Sequence, residues 1–450
     1  MAPFKIIRDR TSWLLQVSYV TVNLFFKTKM QNHAAAVAYY SLLSVVPLML
    51  LMVYLLETYL SGYSELREAF GNLVEAAHLD FLNQNLEQKV GTVSGLLNLT
   101  GGLGILLLLW SSKGLMKSIQ SAFAVIFADS KRRGFIVSSL ISLLAIPFIF
   151  LLMGMSVVGD YLVDHFNYAS LNIPVLGDLL KLSFRLTGLL TPFFGIWFII
   201  FLLYFQIPLL RPGAASTLLN SFFCTLSLYA LEAVLTYVVK IDKYVSLYGS
   251  LGDIVFVLLW VYLGCLIFFM WAEFLYVAGK IDVIALEKIF LNSEDRSRLE
   301  YRIEHFLFNR SSRIFEKYGQ NCNKGEMIIR QNDDTGAIYY LYSGQVGLYR
   351  ENHGKEIRMG GLRAGEIFGE MAYLLGERRT ATVIAESDCF LFIMSPETLE
   401  ALMVYSAKLS RRIIESLCQR IAKMNRGILA SGFASETYRH PVYNADAGTV

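Results

Sequence analysis

Charged residues are scarce in this sequence: Asp, Glu, Lys and Arg make up 17% of its 450 residues, whereas hydrophobic residues make up 55%. Lys and Arg (40) barely outnumber Asp and Glu (37), which leaves a net charge of +3. So small an excess does not indicate the basic surface that binds nucleic acid, and we expect no nucleic-acid partner. A composition this apolar instead favours a protein that lies largely in a lipid bilayer.

Cysteine and histidine are also few. The five cysteines show no paired spacing, which favours unpaired thiols over a disulfide framework. The six histidines are scattered along the chain without the spacing of metal ligands. No arrangement of a nucleophile with a base can be recognised either. We therefore expect no catalytic residues, no metal site, no cofactor and no enzymatic activity.

Long apolar runs dominate the first two thirds of the chain. Each run is long enough to cross about 30 Å of hydrocarbon as a helix, and so many of them do not fit the core of a soluble protein. The pattern predicts six transmembrane helices. The six runs are Ala34–Leu56, Val93–Trp110, Phe135–Val158, Leu186–Phe205, Ala215–Val239 and Ile254–Val277.

The charges between these runs give an orientation. Basic residues precede the first run, lie between the second and third runs (113–133) and follow the sixth, whereas the segment 57–91 is acidic. Because cytoplasmic loops are enriched in Lys and Arg, we predict a multi-pass protein of the inner (plasma) membrane with both termini in the cytoplasm. The first residues mix polar and apolar side chains without a cleavage site, which favours an interfacial amphipathic helix over a signal peptide.

The last third of the chain consists of short β-rich runs broken by turns, such as Asn-Asp-Asp-Thr-Gly (332–336) and Ser-Gly (343–344). These runs predict a small β-roll, and apolar residues at helical spacing predict one helix over 397–429. The expected fold class is an all-α six-helix transmembrane domain plus a C-terminal β-roll with flanking helices. The expected boundaries are 1–285 for the membrane domain, 286–304 for a helical linker, 305–430 for the β-roll domain and 431–450 for a flexible tail.

The most informative segment is Phe368–Val383, with the sequence Phe-Gly-Glu-Met-Ala-Tyr-Leu-Leu-Gly-Glu-Arg-Arg-Thr-Ala-Thr-Val. It predicts a turn, a short helix and a strand, with Glu370 and Arg379 nine positions apart. Arginine makes a planar, bidentate contact with phosphate oxygens, and backbone N–H groups at a helix start can point at the same anion. A carboxylate accepts a hydrogen bond from a ribose hydroxyl. The pair therefore suits a cyclic phosphate on a ribose.

This segment resembles the phosphate-binding cassette of cyclic nucleotide-binding domains (F-G-E-L-A-L-x-x-x-x-P-R-A-A-T-V), and the resemblance covers roughly residues 305–425. It departs from the pattern at Arg378, where proline is usual, and at Thr380, where alanine or serine is common and threonine weakly indicates guanine. The resemblance implies cAMP or cGMP as a regulatory ligand, although such domains can also lose their ligand. The ligand-binding residues that it implies are Gly369, Glu370, Met371, Ala372, Arg379, Thr380 and Ala381.

Several segments of the apolar half occur in a recognisable order: His33–Leu48, Trp110–Phe123, Tyr248–Leu251, Leu259–Leu263 and Ala272-Glu273. They resemble the YihY/BrkB family of bacterial inner-membrane proteins over about residues 20–280. The resemblance implies six spans and assigns no activity. An earlier ribonuclease BN-like label for that family is not supported here, because the histidines lack ligand spacing.

Three residues of the apolar half are candidates for a functional role: Pro47, Glu232 and Glu273. Glu232 lies mid-span, where a carboxylate is costly unless it faces a cavity or a partner, although a protonated or interface-facing side chain is an equal alternative. Glu273 lies nearer the end of a span, and we expect it to be solvated. Pro47 falls in the first span, where proline either breaks a helix along a substrate path or is simply an ordinary membrane-helix residue.

Two function classes follow. The first is a transporter-like membrane protein regulated by a cytoplasmic cyclic nucleotide, as a monomer or a homo-oligomer. The second is a cyclic-nucleotide-gated ion channel, and a membrane-anchored nucleotide sensor or scaffold without transport is a further alternative. The segment between the fifth and sixth runs is too short for a pore helix with a filter, and no run carries an arginine ladder, which favours the first class. The sequence names no transported species.

Overall fold

The computed structural model describes residues 2–59, 110, 113–127, 190, 192–206, 208, 212–238, 250–291, 298–308, 312–334, 336–352 and 355–432. The chain divides into two compact units, Val17–Gly279 and a second unit of Met1–Gln16 with Lys280–Val450. The expected boundary at residue 285 lies close to this division and stays a prediction. The third predicted span, nearly all of the second, and most of the predicted tail lie outside the described residues.

The first unit is helical throughout its described parts. Helices α5 and α6 each contain a segment long and apolar enough to cross a membrane, Ala214–Tyr237 and Val255–Phe290, and α4 is a shorter apolar helix. They overlap the fourth, fifth and sixth predicted spans, and α2 contains the first. The helices are α1 (Ala2–Lys27), α2 (Met30–Tyr59), α3 (113–126), α4 (Pro192–Gln206), α5 (Ala214–Val238) and α6 (Ser250–Phe290).

Aromatic side chains form the core of the first unit. Phe123 of α3 packs against Tyr204 of α4 and against Phe268 and Phe269 of α6, with ring centroids 5.9 to 6.3 Å apart. The buried Tyr204 hydroxyl donates a 2.6 Å hydrogen bond to the Phe268 carbonyl. A buried polar group is costly unless it is hydrogen-bonded, so this bond fixes α4 against α6.

The second unit contains the predicted antiparallel β-roll with flanking helices. Its strands form two four-stranded sheets, in the orders β1-β8-β3-β6 and β2-β7-β4-β5. The elements are α7 (Arg298–Phe308), α8 (Ser312–Tyr318), β1 (Gly319–Cys322), β2 (Met327–Ile329), β3 (Ile338–Ser343), β4 (Gln345–Asn352), β5 (Lys355–Arg363), β6 (Ile367–Phe368), α9 (Glu370–Leu375), β7 (Thr382–Ala385), β8 (Cys389–Met394), α10 (Pro396–Tyr405) and α11 (Ala407–Gly432).

The two sheets enclose one apolar core. Leu341 and Leu391 from the first sheet and Val346 and Val383 from the second are almost completely buried in it, together with Phe368 of β6. Burial is denser than strict alternation predicts, because three of the four residues of β7 and four of the six residues of β8 are buried. The residues that follow β6 therefore start at the edge of a rigid core.

The single helix predicted over 397–429 is wrong, because two helices occupy this segment. Ser406 between them has an extended backbone (φ −122°, ψ 99°) and is buried. Its side-chain Oγ accepts a hydrogen bond from the backbone N–H of Leu409, 3.2 Å away, which caps the start of α11. Apolar periodicity continues through both helices, so the pattern alone does not reveal the break.

Candidate functional site

The segment between β6 and β7 forms a tight turn and a short helix, as the sequence predicts. Gly369 precedes α9 with a left-handed backbone (φ +80°), and Gly376 closes it in a similar conformation (φ +67°). A Cβ at Gly369 would lie 2.8 Å from Arg379 Nη1 and 3.2 Å from the Ala337 carbonyl. Glycine is therefore required at this position both for its backbone and for the space it leaves.

Arg379 is buried at the end of this segment, with 3% of its surface exposed. Its Nη1 donates a 2.6 Å hydrogen bond to the Gly369 carbonyl, and its Nη2 donates to the Ala337 carbonyl. The Arg379 backbone is held as well, because its N–H donates to the Asp333 carbonyl at 3.1 Å. Burial lowers the pKa of Arg379, although an arginine stays charged at any physiological pH. The guanidinium is thus a fixed cation beside Gly369.

Glu370 is the first residue of α9 and is 2% exposed. Its Oε1 accepts a 2.7 Å hydrogen bond from Arg420 Nη1 of α11. Its Oε2 has no hydrogen-bond partner within the described part of the chain. Burial raises the pKa of Glu370, and the positive charge of Arg420 partly offsets this shift. One carboxylate oxygen is therefore held by α11, and the other is a buried acceptor suited to a hydroxyl donor.

Arg420 is the residue of this site that the sequence reasoning missed. Besides Glu370, it contacts the Ile367 carbonyl through Nη2, so it holds both sides of the turn at Gly369. The spacing of Arg420 from the apolar residues of α11 could have indicated its position. Leu409 and Ile413 are buried on α11, and Arg420 follows Ile413 by seven residues, which places it on the same helical face.

The other residues that the resemblance implied lie around this pair. Met371 and Ala372 are half-buried in the first turn of α9, and Ala381 is half-buried just before β7. Thr380 is exposed. The structure therefore brings Gly369, Glu370 and Arg379 into direct or near contact and arranges the remaining candidates beside them.

The candidates of the apolar half have different environments. Glu232 is exposed on α5, and the side chain of Pro47 on α2 is outside the described part of the structure. Glu273 is 2% exposed, so the expectation that it is solvated is wrong. Its neighbours Phe269 and Ala272 belong to the buried aromatic core, so this face of α6 is shielded from solvent. Glu273 Oε2 has no hydrogen-bond partner among the described residues.

A cavity of about 240 Å³ lies next to Glu370 in the second unit. Its walls include Phe290 at the end of α6, Tyr340 of β3, Ile367 of β6 and Arg412 of α11. The cavity is therefore lined both by residues of α11 and by residues of the β-roll, with Glu370 in its wall.

Two family descriptions match the chain. The description "Virulence factor BrkB" matches residues 22–283, and the description "Cyclic nucleotide-binding domain" matches residues 320–406. The first match covers the described helices α2 to α5 and most of α6, and the second runs from within β1 to the end of α10 and includes Gly369, Glu370 and Arg379.

Individual relatives likewise match one or the other part of the chain. A UPF0761 membrane protein of Alkalilimnicola ehrlichii is 29% identical over 285 residues, which is 60% of this chain and 60% of that protein. The cAMP-dependent protein kinase type II regulatory subunit of Drosophila melanogaster is 30% identical over 159 residues, 32% of this chain and 41% of that protein. The cAMP-dependent protein kinase regulatory subunit of Dictyostelium discoideum is 28% identical over 99 residues, 22% of this chain and 30% of that protein. The chain thus spans 60% or less of each of these relatives.

Among solved structures, the catabolite activator protein of Thermus thermophilus is 22% identical, with 32% of this chain and 63% of that chain covered and a TM-score of 0.26. The cAMP-bound form of the EAL enzyme Bd1971 is 26% identical, with 26% of this chain and 31% of that chain covered and a TM-score of 0.20.

Proposed function

We propose that this chain, which belongs to the virulence factor BrkB family of membrane proteins and carries a cyclic nucleotide-binding domain, is a transporter-like protein regulated by cAMP or cGMP. In this proposal the apolar half crosses the inner membrane six times with both termini in the cytoplasm, where the nucleotide is available. The proposal assigns the chain no catalytic step.

The observation that carries the proposal is the placement of Arg379 and Glu370 on either side of Gly369. Arg379 Nη1 lies 2.6 Å from the Gly369 carbonyl. Its positive charge is therefore next to the turn that precedes Glu370, the first residue of α9. A phosphate is a stronger acceptor for a guanidinium than a neutral carbonyl, because the hydrogen bond then joins two opposite charges. Arg379 can therefore exchange a carbonyl for the cyclic phosphate.

Glu370 supplies the second contact. Its Oε2, which lacks a partner among the described residues, can accept a hydrogen bond from the ribose hydroxyl. A buried acceptor gains more from such a bond than an exposed one, since leaving it unpaired in a low-dielectric site is costly. The fit of this chain to a cyclic nucleotide thus rests on a buried cation and a buried acceptor that share one turn.

The names of the relatives support the ligand class. The regulatory subunits that the C-terminal third resembles are described as belonging to cAMP-dependent protein kinases, and a further relative from Plasmodium berghei, which matches over 67 residues, is described as a cGMP-dependent protein kinase. The proposal includes both cAMP and cGMP, because Thr380, the residue expected to distinguish guanine from adenine, is exposed.

The test uses the full chain in lipid nanodiscs and measures equilibrium binding of labelled cAMP and of labelled cGMP. Saturable binding of either nucleotide supports the proposal, and the absence of binding for both overturns it. Flux measurements in sealed vesicles, with and without the nucleotide that binds, then test the membrane half. Nucleotide-dependent flux without single-channel currents supports a transporter. Unitary currents indicate a channel, and binding without any flux indicates an anchored sensor.

A further inference from the structure

Two of the five cysteines face each other in the β-roll, although they lie 67 positions apart in the sequence. Cys322 ends β1 and Cys389 begins β8, and the two are directly opposite in the register of these antiparallel strands. Opposed residues of an antiparallel pair project from the same face of the sheet, with Cα atoms about 4.5 or 5.5 Å apart. Both side chains are buried in the apolar core, so the two thiols share its inner face.

This arrangement meets the geometric requirement for a disulfide. The Cα atoms of bridged cysteines are roughly 4.4–6.8 Å apart, a range that includes both spacings of opposed antiparallel residues. Both cysteines are free in the structure, and the Cys389 thiol donates to the Ser387 and Gln345 carbonyls at 3.1 and 3.3 Å. A thiol is a weak donor, so turning this side chain toward Cys322 costs little.

The strand that carries Cys322 is a short edge strand. β1 has four residues and lies at the end of its sheet, next to β8. Asn321 and Asn323, on either side of Cys322, are exposed. Elements with few contacts open locally at a low free-energy cost. Opening of β1 therefore exposes Cys322, while Cys389 stays in β8, which also pairs with β3.

The closed fold protects the reduced pair. Burial, and to a smaller extent the nearby Glu326 and Cys389, raises the pKa of Cys322 to about 11. Because the thiolate is the nucleophile, a thiol with so high a pKa reacts slowly. Oxidation of this pair therefore needs a sustained excess of oxidant.

We propose that Cys322 and Cys389 are a redox pair that a small disulfide such as oxidised glutathione converts into an intrachain disulfide between β1 and β8. The Cys322 thiolate attacks one sulfur of oxidised glutathione, which gives a mixed disulfide and releases one reduced glutathione. The Cys389 thiolate then attacks Cys322 Sγ and releases the second. The two cysteines are oxidised by two electrons, the glutathione disulfide is reduced by two, and the two cysteine protons end on the two glutathione thiols.

The bridge closes the segment 322–389 into a loop, and this loop contains Gly369, Glu370 and Arg379. A cross-link restricts the unfolded chain more than the folded one, so the oxidised β-roll is more resistant to unfolding. Disulfides of cytoplasmic proteins are mostly transient and redox-sensing, which fits a pair that is reduced at rest. The proposal does not depend on nucleotide binding.

The first test detects the bridge. The full chain in nanodiscs, with the exposed Cys418 replaced by serine, is incubated without denaturant in excess oxidised glutathione. Free thiols are then alkylated, and the chain is digested with trypsin without reductant. Cleavage after Lys and Arg places the two cysteines in fragments 318–324 and 380–408, neither of which contains another cysteine. Mass spectrometry is expected to find these fragments linked, and dithiothreitol is expected to separate them.

The second test measures the consequence on a single sequence, so it does not depend on the folding of a variant. The oxidised form is expected to resist a brief protease pulse up to a urea concentration about 1 M or more above that of the reduced form. Cys322→Ala and Cys389→Ala should each abolish the linked fragments and this difference. The matched control Cys265→Ala, which changes a cysteine of α6, should retain both.

Three outcomes overturn the proposal. One is the absence of the linked fragments after prolonged oxidation, including a result in which Cys322 carries glutathione and no bridge follows. Another is a bridge that forms only in urea, because the folded strands would then not hold the two thiols in reach. The third is an equal urea midpoint for the oxidised and reduced forms.

Discussion

Arg420 Nη1 of the C-terminal helix lies 2.7 Å from Glu370 Oε1, fifty residues earlier in the chain. The Glu370 side chain is buried (2% exposed), and the Arg420 side chain is mostly buried (21% exposed). This pair connects the turn at Gly369, which we propose binds the nucleotide, with helix α11. The same helix carries Arg412, which donates a hydrogen bond to the Phe290 carbonyl at the end of α6.

The first prediction concerns the phosphate contact. Arg379→Ala should weaken nucleotide binding by about 10- to 150-fold, because it removes a charge-assisted hydrogen bond worth about 1.5–3 kcal/mol. Its neighbour Arg378 is exposed and offers a matched control, since Arg378→Ala removes the same charge and the same number of atoms. Equilibrium binding to the two variants decides the matter. Equal affinity for both would show that Arg379 does not bind the phosphate.

The second prediction concerns the stability of the ion pair. Arg420→Leu should destabilise the second unit by about 1–3 kcal/mol, because it leaves the buried Glu370 charge without its partner. Adding Glu370→Gln should recover part of this loss. The buried thiol of Cys389 is a suitable probe once the exposed Cys418 has been replaced by serine, since maleimide is expected to reach Cys389 only when the β-roll opens in urea. A midpoint for Arg420→Leu equal to that of the control variant Arg411→Gln, which changes an exposed arginine, would contradict the prediction.

The third prediction concerns pH. Burial raises the pKa of Glu370 above its ordinary value. The folded state therefore binds this proton more tightly than the unfolded state does. Its contribution to stability is fully present below the unfolded pKa and is lost as pH rises through the folded pKa. Calorimetric melting of the chain at several pH values should show this decline, and Glu370→Gln should remove it. An unchanged pH dependence in the variant would refute the assignment to Glu370.

The fourth prediction separates backbone strain from a steric clash. Both Gly369 and Gly376 have left-handed backbones, so replacing either with alanine should cost about 1–2 kcal/mol of stability. Only at Gly369 does the new Cβ meet Arg379, whereas nothing lies within 4 Å at Gly376. Nucleotide affinity should therefore fall in Gly369→Ala and remain close to normal in Gly376→Ala. Titration of the two variants with labelled nucleotide measures this difference directly.

The fifth prediction concerns topology. Reporter fusions placed after Arg133 and after Lys280 should both report a cytoplasmic location, and a fusion near His78 should report the outside. The reason is the cluster of Lys and Arg at 113–133, the lysines Lys280 and Lys288 after the sixth run, and the excess of Glu and Asp in the segment 57–91. Opposite locations for the first two fusions would indicate an odd number of spans between them.

The sequence alone determined the local parts of this protein. The order Phe368-Gly369-Glu370 followed by Arg379 predicts the turn, the short helix and the cation beside it, because each of these depends on residues only a few positions apart. Long apolar runs likewise indicate helices in the first unit, since length and composition are themselves local properties. The break at Ser406 escaped prediction because apolar spacing continues across it.

Only the tertiary structure decided which distant residues meet. Arg420 reaches Glu370 across 50 positions, Arg379 reaches Ala337 across 42, and Arg412 reaches Phe290 across 122. It also placed Glu273 in a buried core, although its position near a span end suggested a solvated side chain, and it left Glu232 exposed on α5. Periodicity shows which face of a helix is apolar, but the partner of that face depends on how whole elements pack, and no local pattern specifies that packing.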